Sequence, residues 1–262
     1  MDTHSSQAGF GIVVVALLFT AFAVIAAATL DRSSVTLEQD RQRQVGAQLT
    51  RLSIALAKYA RYNNHRLPCP ASLLLVPADA NFGVGFTPGA PASPTNLCST
   101  GSVTFAVDGV SVATSSSSKL LVGMVPVKEL VPYGISYNEA FDPWGSRIVY
   151  AVHRGVTRGT DDPTVAAASN SERANVSDYI TAEIITPGPD TVVISFGRDR
   201  IGGRLRNQSS LAAPSIACPG GERRYLNCDD DNIFIRGPLH INTKATATDY
   251  FDDSISTLRY TP

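Results

Sequence analysis

The sequence predicts an α+β fold in which one long amino-terminal helix lies across an antiparallel β-sheet. Three observations carry that expectation. None of the sixteen prolines precedes Pro68, and only three of the twenty glycines (Gly9, Gly11 and Gly46) do. Proline costs about 3 kcal/mol inside a helix, so this distribution favours a single uninterrupted helix from about residue 10 to residue 63. Within it, Val45, Leu49, Leu52, Leu56 and Tyr59 recur at steps of four and three, the signature of one apolar helical stripe. Beyond residue 67 the pattern changes to short apolar segments separated by turn residues, which read as strands.

The elements follow in order. Residues 1–9 form a polar leader ending in Gln7, Ala8 and Gly9. Residues 10–30, FGIVVVALLFTAFAVIAAATL, carry no charge for twenty-one positions. At about 1.5 Å per residue they match a hydrocarbon core of about 30 Å and predict a transmembrane helix. Residues 31–66 continue it as a polar helix, with Arg41, Arg43, Gln44, Gln48, Arg51, Lys58 and Arg61 assigned to the faces away from the stripe. Leu67, Pro68, Cys69 and Pro70 end it, because a residue before proline is pushed out of the α region.

Residues 67–262 make one β-rich globular domain, long enough for its own core and too short for a second full domain. Residues 77–101 read as a loop dense in Gly and Pro, and Asp108-Gly109 as the turn of a hairpin joining 103–107 to 110–113. Further strands are expected at 120–125, 147–153, 179–186, 191–196 and 233–236. Ile180, Ala182 and Ile184 alternate with Tyr179, Thr181 and Glu183, predicting one buried face and one wet face. The 45–59 stripe is the expected cover for the sheet. Residues 115–118 and 161–171 read as surface loops. Asp252 and Asp253, ahead of Ile255 and Leu258, open a closing segment, with the acids favoured near a helix start if it is helical.

A formal net charge of −1 with scattered Lys and Arg provides no stripe of positive charge for phosphates, so nucleic acid is not expected as a partner. An even cysteine count behind a membrane segment suits an oxidising compartment. Cys69, Cys98, Cys218 and Cys228 allow three pairings. Cys69 with Cys98 and Cys218 with Cys228 is preferred, since each bridge then closes a Pro-, Gly- and Ser-rich loop with little core of its own. A metal site is disfavoured because there is no CxxC and the four histidines lie far from the cysteines in sequence.

No catalytic constellation emerges. Asp229, Asp230, Asp231 and Asn232 supply oxygens beside Cys228, as a calcium ion requires, but without the alternating spacing of an EF-hand loop. A solvated loop is the simpler reading, and no cofactor is expected. Ser116 and Lys119 meet the S-x-x-K spacing inside a serine run that makes such a match inevitable, with no SDN or KTG companion. His153 and His240 sit in or near expected strands without an acidic neighbour at catalytic spacing.

Gly9-Phe10 before the apolar run, the uninterrupted helix, Arg66-Leu67-Pro68-Cys69-Pro70-Ala71, Asp142-Pro143-Trp144-Gly145 leading into Arg147-Ile148-Val149-Tyr150, and Ser195-Phe196-Gly197-Arg198-Asp199 occur in that order. Together they resemble type IV pilins and type II secretion pseudopilins. The resemblance implies a lollipop-shaped subunit cut by a prepilin peptidase between Gly9 and Phe10, with an N-methylated Phe10. It implies a single-pass protein of the bacterial inner membrane with a periplasmic domain, built with other subunits into a pilus or pseudopilus. It also brings in Asp199 as a second calcium candidate, although Arg200 and Arg204 follow it.

Two departures bear on this. Val14 stands at the fifth mature position, where filament-body pilins usually carry glutamate, which implies a minor or tip subunit. The leader lacks Lys and Arg, and seven such residues lie between positions 31 and 66, a bias opposed to an outward-facing domain. The alternative is a periplasmic binding protein or enzyme, anchored or exported by the same segment, with Ala26-Ala27-Ala28 as a signal-peptidase-like site.

Overall fold

The computed structural model describes residues 7–73, 75–85, 120–157, 175–178, 184–187, 189–198, 203, 205–206, 233–236 and 253–259; inside the first helix, side chains are described at 13–23 and 36–62. The chain divides into two compact units, Met1–Gln42 and Arg43–Pro262. Helix α1 runs unbroken through Gln7–Tyr62. It ends on Asn64 and His65, both at positive φ (53° and 60°), a left-handed turn that asparagine tolerates better than most residues. The helix therefore stops before the prolines expected to end it, because the backbone has already reversed its hand.

The second unit is built around a four-stranded antiparallel sheet. Its strands are β1 (Leu120–Met124), β2 (Val149–His153), β5 (Thr191–Ser195) and β7 (Ser254–Leu258), in the order β1-β2-β5-β7. A short helix, α2 (Val127–Leu130), and two 3-10 turns connect β1 to β2. The second sheet has the order β4-β3-β6, from β3 (Asn175–Asp178), β4 (Ile184–Pro187) and β6 (Ile233–Arg236). Strand β3 pairs with β4 antiparallel and with β6 in parallel, so this sheet is mixed rather than antiparallel as expected.

The two central strands of the larger sheet, β2 and β5, are buried on both faces. Tyr150 and Val152 on β2 and Val193 on β5 join Val45, Leu49, Leu52 and Leu56 of α1 in one core. Val149, Ala151, Val192 and Ile194, which alternate with them, pack with Val176 of β3 in a second. Residues 149–152 and 192–194 hence read as continuous apolar runs, the pattern of strands covered on both sides. Tyr59 of the predicted stripe is half-buried at the edge of the first core.

Two expectations are corrected, and the closing segment, which the sequence leaves open, is decided. Gln48, assigned to the wet face of α1, is buried, and its Nε2 donates to the carbonyls of Glu139 (3.0 Å) and Phe141 (2.8 Å). Ile184, assigned to a buried face, is 54% exposed. The closing segment is a strand, because Ile255 and its neighbours pair with β5 and satisfy their backbone groups there. The hairpin at 103–113, the loop tracts at 86–101, 115–118 and 161–171, and residues 179–183 fall outside the described residues.

The Leu67–Ala71 segment is seated on the larger sheet. Leu67 N–H donates to the Val156 carbonyl (2.9 Å), and Ala71 exchanges both backbone hydrogen bonds with Met124 (2.8 and 2.9 Å). The Tyr150 hydroxyl donates to the Pro68 carbonyl (3.1 Å). Pro68 and Pro70 have no N–H to leave unpaired, which suits a segment buried throughout.

Candidate functional site

Three places concentrate unusual chemistry, and the first is the amino-terminal half of α1. Every residue from 13 to 23 is exposed, including Leu17 (64%), Leu18 (66%), Phe19 (72%) and Phe22 (74%). The sole hydroxyl in this stretch, on Thr20, donates to the Leu17 carbonyl (2.9 Å), so it places no unsatisfied polar atom on the surface. A helix apolar on all sides is stable only where lipid or other helices cover it. Among the described residues no helical window is long and apolar enough to cross a membrane; positions 10–12 and 24–30 of the run lie outside the side-chain description. Gly9 and Phe10 sit in the first turns of α1. Val14 is 39% exposed.

The second place joins two of the sequence motifs. Asp142 is buried, and its Oδ1 accepts the N–H groups of Trp144 (3.0 Å) and Ser146 (2.8 Å). Its other oxygen accepts the Ser195 hydroxyl (2.8 Å) from the end of β5. Gly145 closes the turn at φ 84°, its N–H donating to the Asp142 carbonyl (2.9 Å). Arg147, also buried, donates to the carbonyls of Leu73 and Arg206, and the Arg206 guanidinium stands 4.8 Å over the Phe141 ring. The Trp144 and Ser146 N–H groups and the Ser195 hydroxyl converge on the one Asp142 carboxylate, so the arrangement clasps turn to sheet.

The third place was not anticipated. A cleft of about 430 Å³ opens where α1 ends, lined by Tyr59, Tyr62, Asn63, Asn64, Arg66, Leu67, Pro68, Cys69, Gly85, Glu129 and Thr157. Glu129 comes from α2, and its Oε1 accepts the Gly85 N–H (2.8 Å). Burial pushes its carboxyl from 4.5 up to about 7, with the Gly85 hydrogen bond opposing. Burial, then Glu129 and Tyr133, push the Tyr59 hydroxyl up to about 12 against the lowering influence of Arg66. Tyr150, fully buried, is raised well above 10 by burial, then by Glu129 and Tyr59. Tyr133 meets Tyr59 edge-on (5.6 Å between centroids) and stacks on Tyr62 (6.0 Å). The Tyr133 hydroxyl and the Tyr59 carbonyl both accept from Asn63 Nδ2 (2.9 and 2.8 Å). Gly85 is pressed so close that a Cβ there would lie 2.2 Å from the Cys69 carbonyl oxygen and 2.9 Å from Glu129 Oε1.

Cys69 is disulfide-bonded and buried. Cys98, Cys218 and Cys228, and with them the pairing, lie outside the described residues. So do Asp199, Asp229, Asp230, Asp231, Asn232, Ser116, Lys119 and His240. Among the described residues no group of three His, Cys, Asp or Glu side chains could hold a metal. His153 is buried at the end of β2, its backbone N–H donating to the Asp190 carbonyl (3.0 Å). Sequence reasoning missed Glu129 and the tyrosine cluster because the helix end meets Glu129 and Tyr133 across about 70 positions of chain. Comparison of the chain with protein families, curated proteins and solved structures returns no match.

Proposed function

We propose that this chain is a pilin-like structural subunit, made as a precursor and cut by a prepilin peptidase between Gly9 and Phe10. Residues 10–30 anchor it in the bacterial inner membrane, with the domain of residues 67–262 in the periplasm, until it assembles with other subunits through the same helix. The product is a type IV pilus or a type II secretion pseudopilus, with this chain as a minor or tip component. The observation that carries the reading is the exposed apolar surface of residues 13–23 on a helix that continues, unbroken, into the stripe covering the sheet.

The work of such a subunit is packing. Ala16, Ala21 and Ala23 allow neighbouring helices to approach, while Leu17, Leu18, Phe19 and Phe22 supply the apolar area. Val14 places no carboxylate in the apolar bundle, where an unpartnered charge costs several kcal/mol. That suits a position at the end of a fibre, with no subunit amino terminus to answer.

A photo-crosslinking side chain at Phe22 tests the reading in cells that carry the assembly machinery. Adducts between subunits are expected there and not from the same group at exposed Arg61. Lipid adducts alone at Phe22 refute assembly through this surface. The rival reading, an exported or anchored periplasmic binding protein or enzyme, draws its support from the Glu129 cleft.

A further inference from the structure

We propose that the cleft at the end of α1 is a binding site for an uncharged carbohydrate unit, seated against Tyr62 and held by Glu129 and Arg66. The inference is independent of assembly through the helix, since the described lining residues lie between positions 59 and 157.

Size comes first: about 430 Å³ lies in the range of small-ligand pockets and accommodates one or two sugar rings. The polar groups come second. Glu129, which lines the cleft, is a largely buried carboxyl whose Oε1 is met by the Gly85 N–H, and a carboxyl has acceptor capacity beyond that one bond. Arg66 lines the same cleft, and its guanidinium carries several N–H donors. One cleft thus is lined by both a carboxyl acceptor and a guanidinium donor. A hydroxyl answers either, and a sugar ring carries several side by side. A cationic ligand fits poorly beside Arg66, and an anionic one fits poorly beside Glu129.

The aromatic component is third. Tyr62 is 73% exposed and lines the cleft, with Tyr133 stacked on it and Asn63 tying Tyr133 back to the helix end. That fixes an aromatic platform for the C–H face of a pyranose at little cost in side-chain freedom. Gly85 contributes by its lack of a side chain, since a Cβ there would collide with Glu129 and the Cys69 carbonyl.

The test uses the full chain in a detergent without a sugar headgroup, probed by saturation-transfer NMR. The probes are glucose, galactose, mannose, N-acetylglucosamine, maltose and cellobiose, with lysine and glutamate as charged controls. The expected result is saturation transfer to at least one sugar with a millimolar dissociation constant, weakened roughly tenfold or more by Glu129→Gln or Tyr62→Ala. Tyr62→Leu keeps apolar bulk against Tyr133 if the alanine variant fails to fold, and the same loss is expected of it. Tyr137→Ala, at an exposed tyrosine outside the cleft, leaves binding unchanged. The proposal is overturned if no sugar shows transfer at tens of millimolar. Binding of lysine or glutamate in place of every sugar, or sugar binding that survives both the Glu129 and Tyr62 substitutions, also overturns it.

Discussion

Replacing Glu129 with glutamine should stabilise the sheet domain at neutral and alkaline pH and leave it nearly unchanged in acid. The sign follows from the direction of the shift. Burial raises the folded-state value from 4.5 to about 7, so between those values the folded chain holds a proton that the unfolded chain has released. Stability is then fully present below about 4.5, falls as pH rises through about 7, and is flat above it. A rise from 4.5 to about 7, at about 1.4 kcal/mol per unit, amounts to about 3 kcal/mol as an upper bound. Glutamine keeps an oxygen for the Gly85 N–H and removes the buried charge, giving back about 1 kcal/mol through the weaker neutral hydrogen bond. The expected net gain at pH 8 is about 2 kcal/mol.

Tyr59 and Tyr150, the other titratable groups raised beside Glu129, ionise far above this window and do not contribute to it. The assay is urea denaturation followed by fluorescence of Trp144, the chain's single tryptophan, which is buried in the first core. Measurements at pH 5 and pH 8 compare wild type with the variant. Equal pH dependence in the two proteins, or a variant less stable at pH 8, refutes the assignment of a costly buried carboxylate at this position.

The clasp and the glycines yield sharper local expectations. Asp142→Ala removes the acceptor for two backbone N–H groups and the Ser195 hydroxyl. It should cost about 3 kcal/mol or more in the same denaturation assay, and a loss under about 1 kcal/mol contradicts the clasp. Gly145→Ala meets no atom within 4 Å, so its cost is the positive φ alone, about 1–2 kcal/mol. Gly85→Ala has no such conformational penalty but collides with the Cys69 carbonyl, and should be the more damaging of the two. The reverse order of midpoints sinks the close-approach argument.

Legibility in the sequence followed locality. The helix was readable because its signals lie within one turn of each other: no proline, and a stripe at Val45, Leu49, Leu52 and Leu56 that the structure buries. Strands β1, β2, β5 and β6 were readable from apolar runs between turn residues. Strand β3, NVSD, was missed because four residues with one apolar side chain have no period to detect, and its place is set by pairing with β4 and β6. Strand β7, SISTL, is ambiguous in the sequence because its two apolar residues, Ile255 and Leu258, stand three apart behind two acids that also suit a helix start; pairing with β5 decides. Gln48 misled because glutamine is usually wet, and only the chain folded back beneath α1 supplies the Glu139 and Phe141 carbonyls it donates to.

The candidate site divides in the same way. Asp142-Pro143-Trp144-Gly145 and the Ser195 segment were visible as separate motifs, but the hydrogen bond that makes them one clasp spans 53 positions. The Glu129 cleft gathers residues from the helix end, the Leu67–Cys69 stretch, Gly85 and α2. No spacing in the chain anticipates that assembly.

The central claim is that the exposed apolar helix is kept in the mature protein as its assembly surface. Intact-mass and amino-terminal analysis of the chain purified from cells bearing a prepilin peptidase tests it most directly. The account predicts a mature chain beginning at Phe10, with a methyl group on its amine, and the precursor's mass when Gly9 is replaced by a bulky residue. A mature chain beginning near Thr29, without the helix surface of residues 13–23, contradicts it.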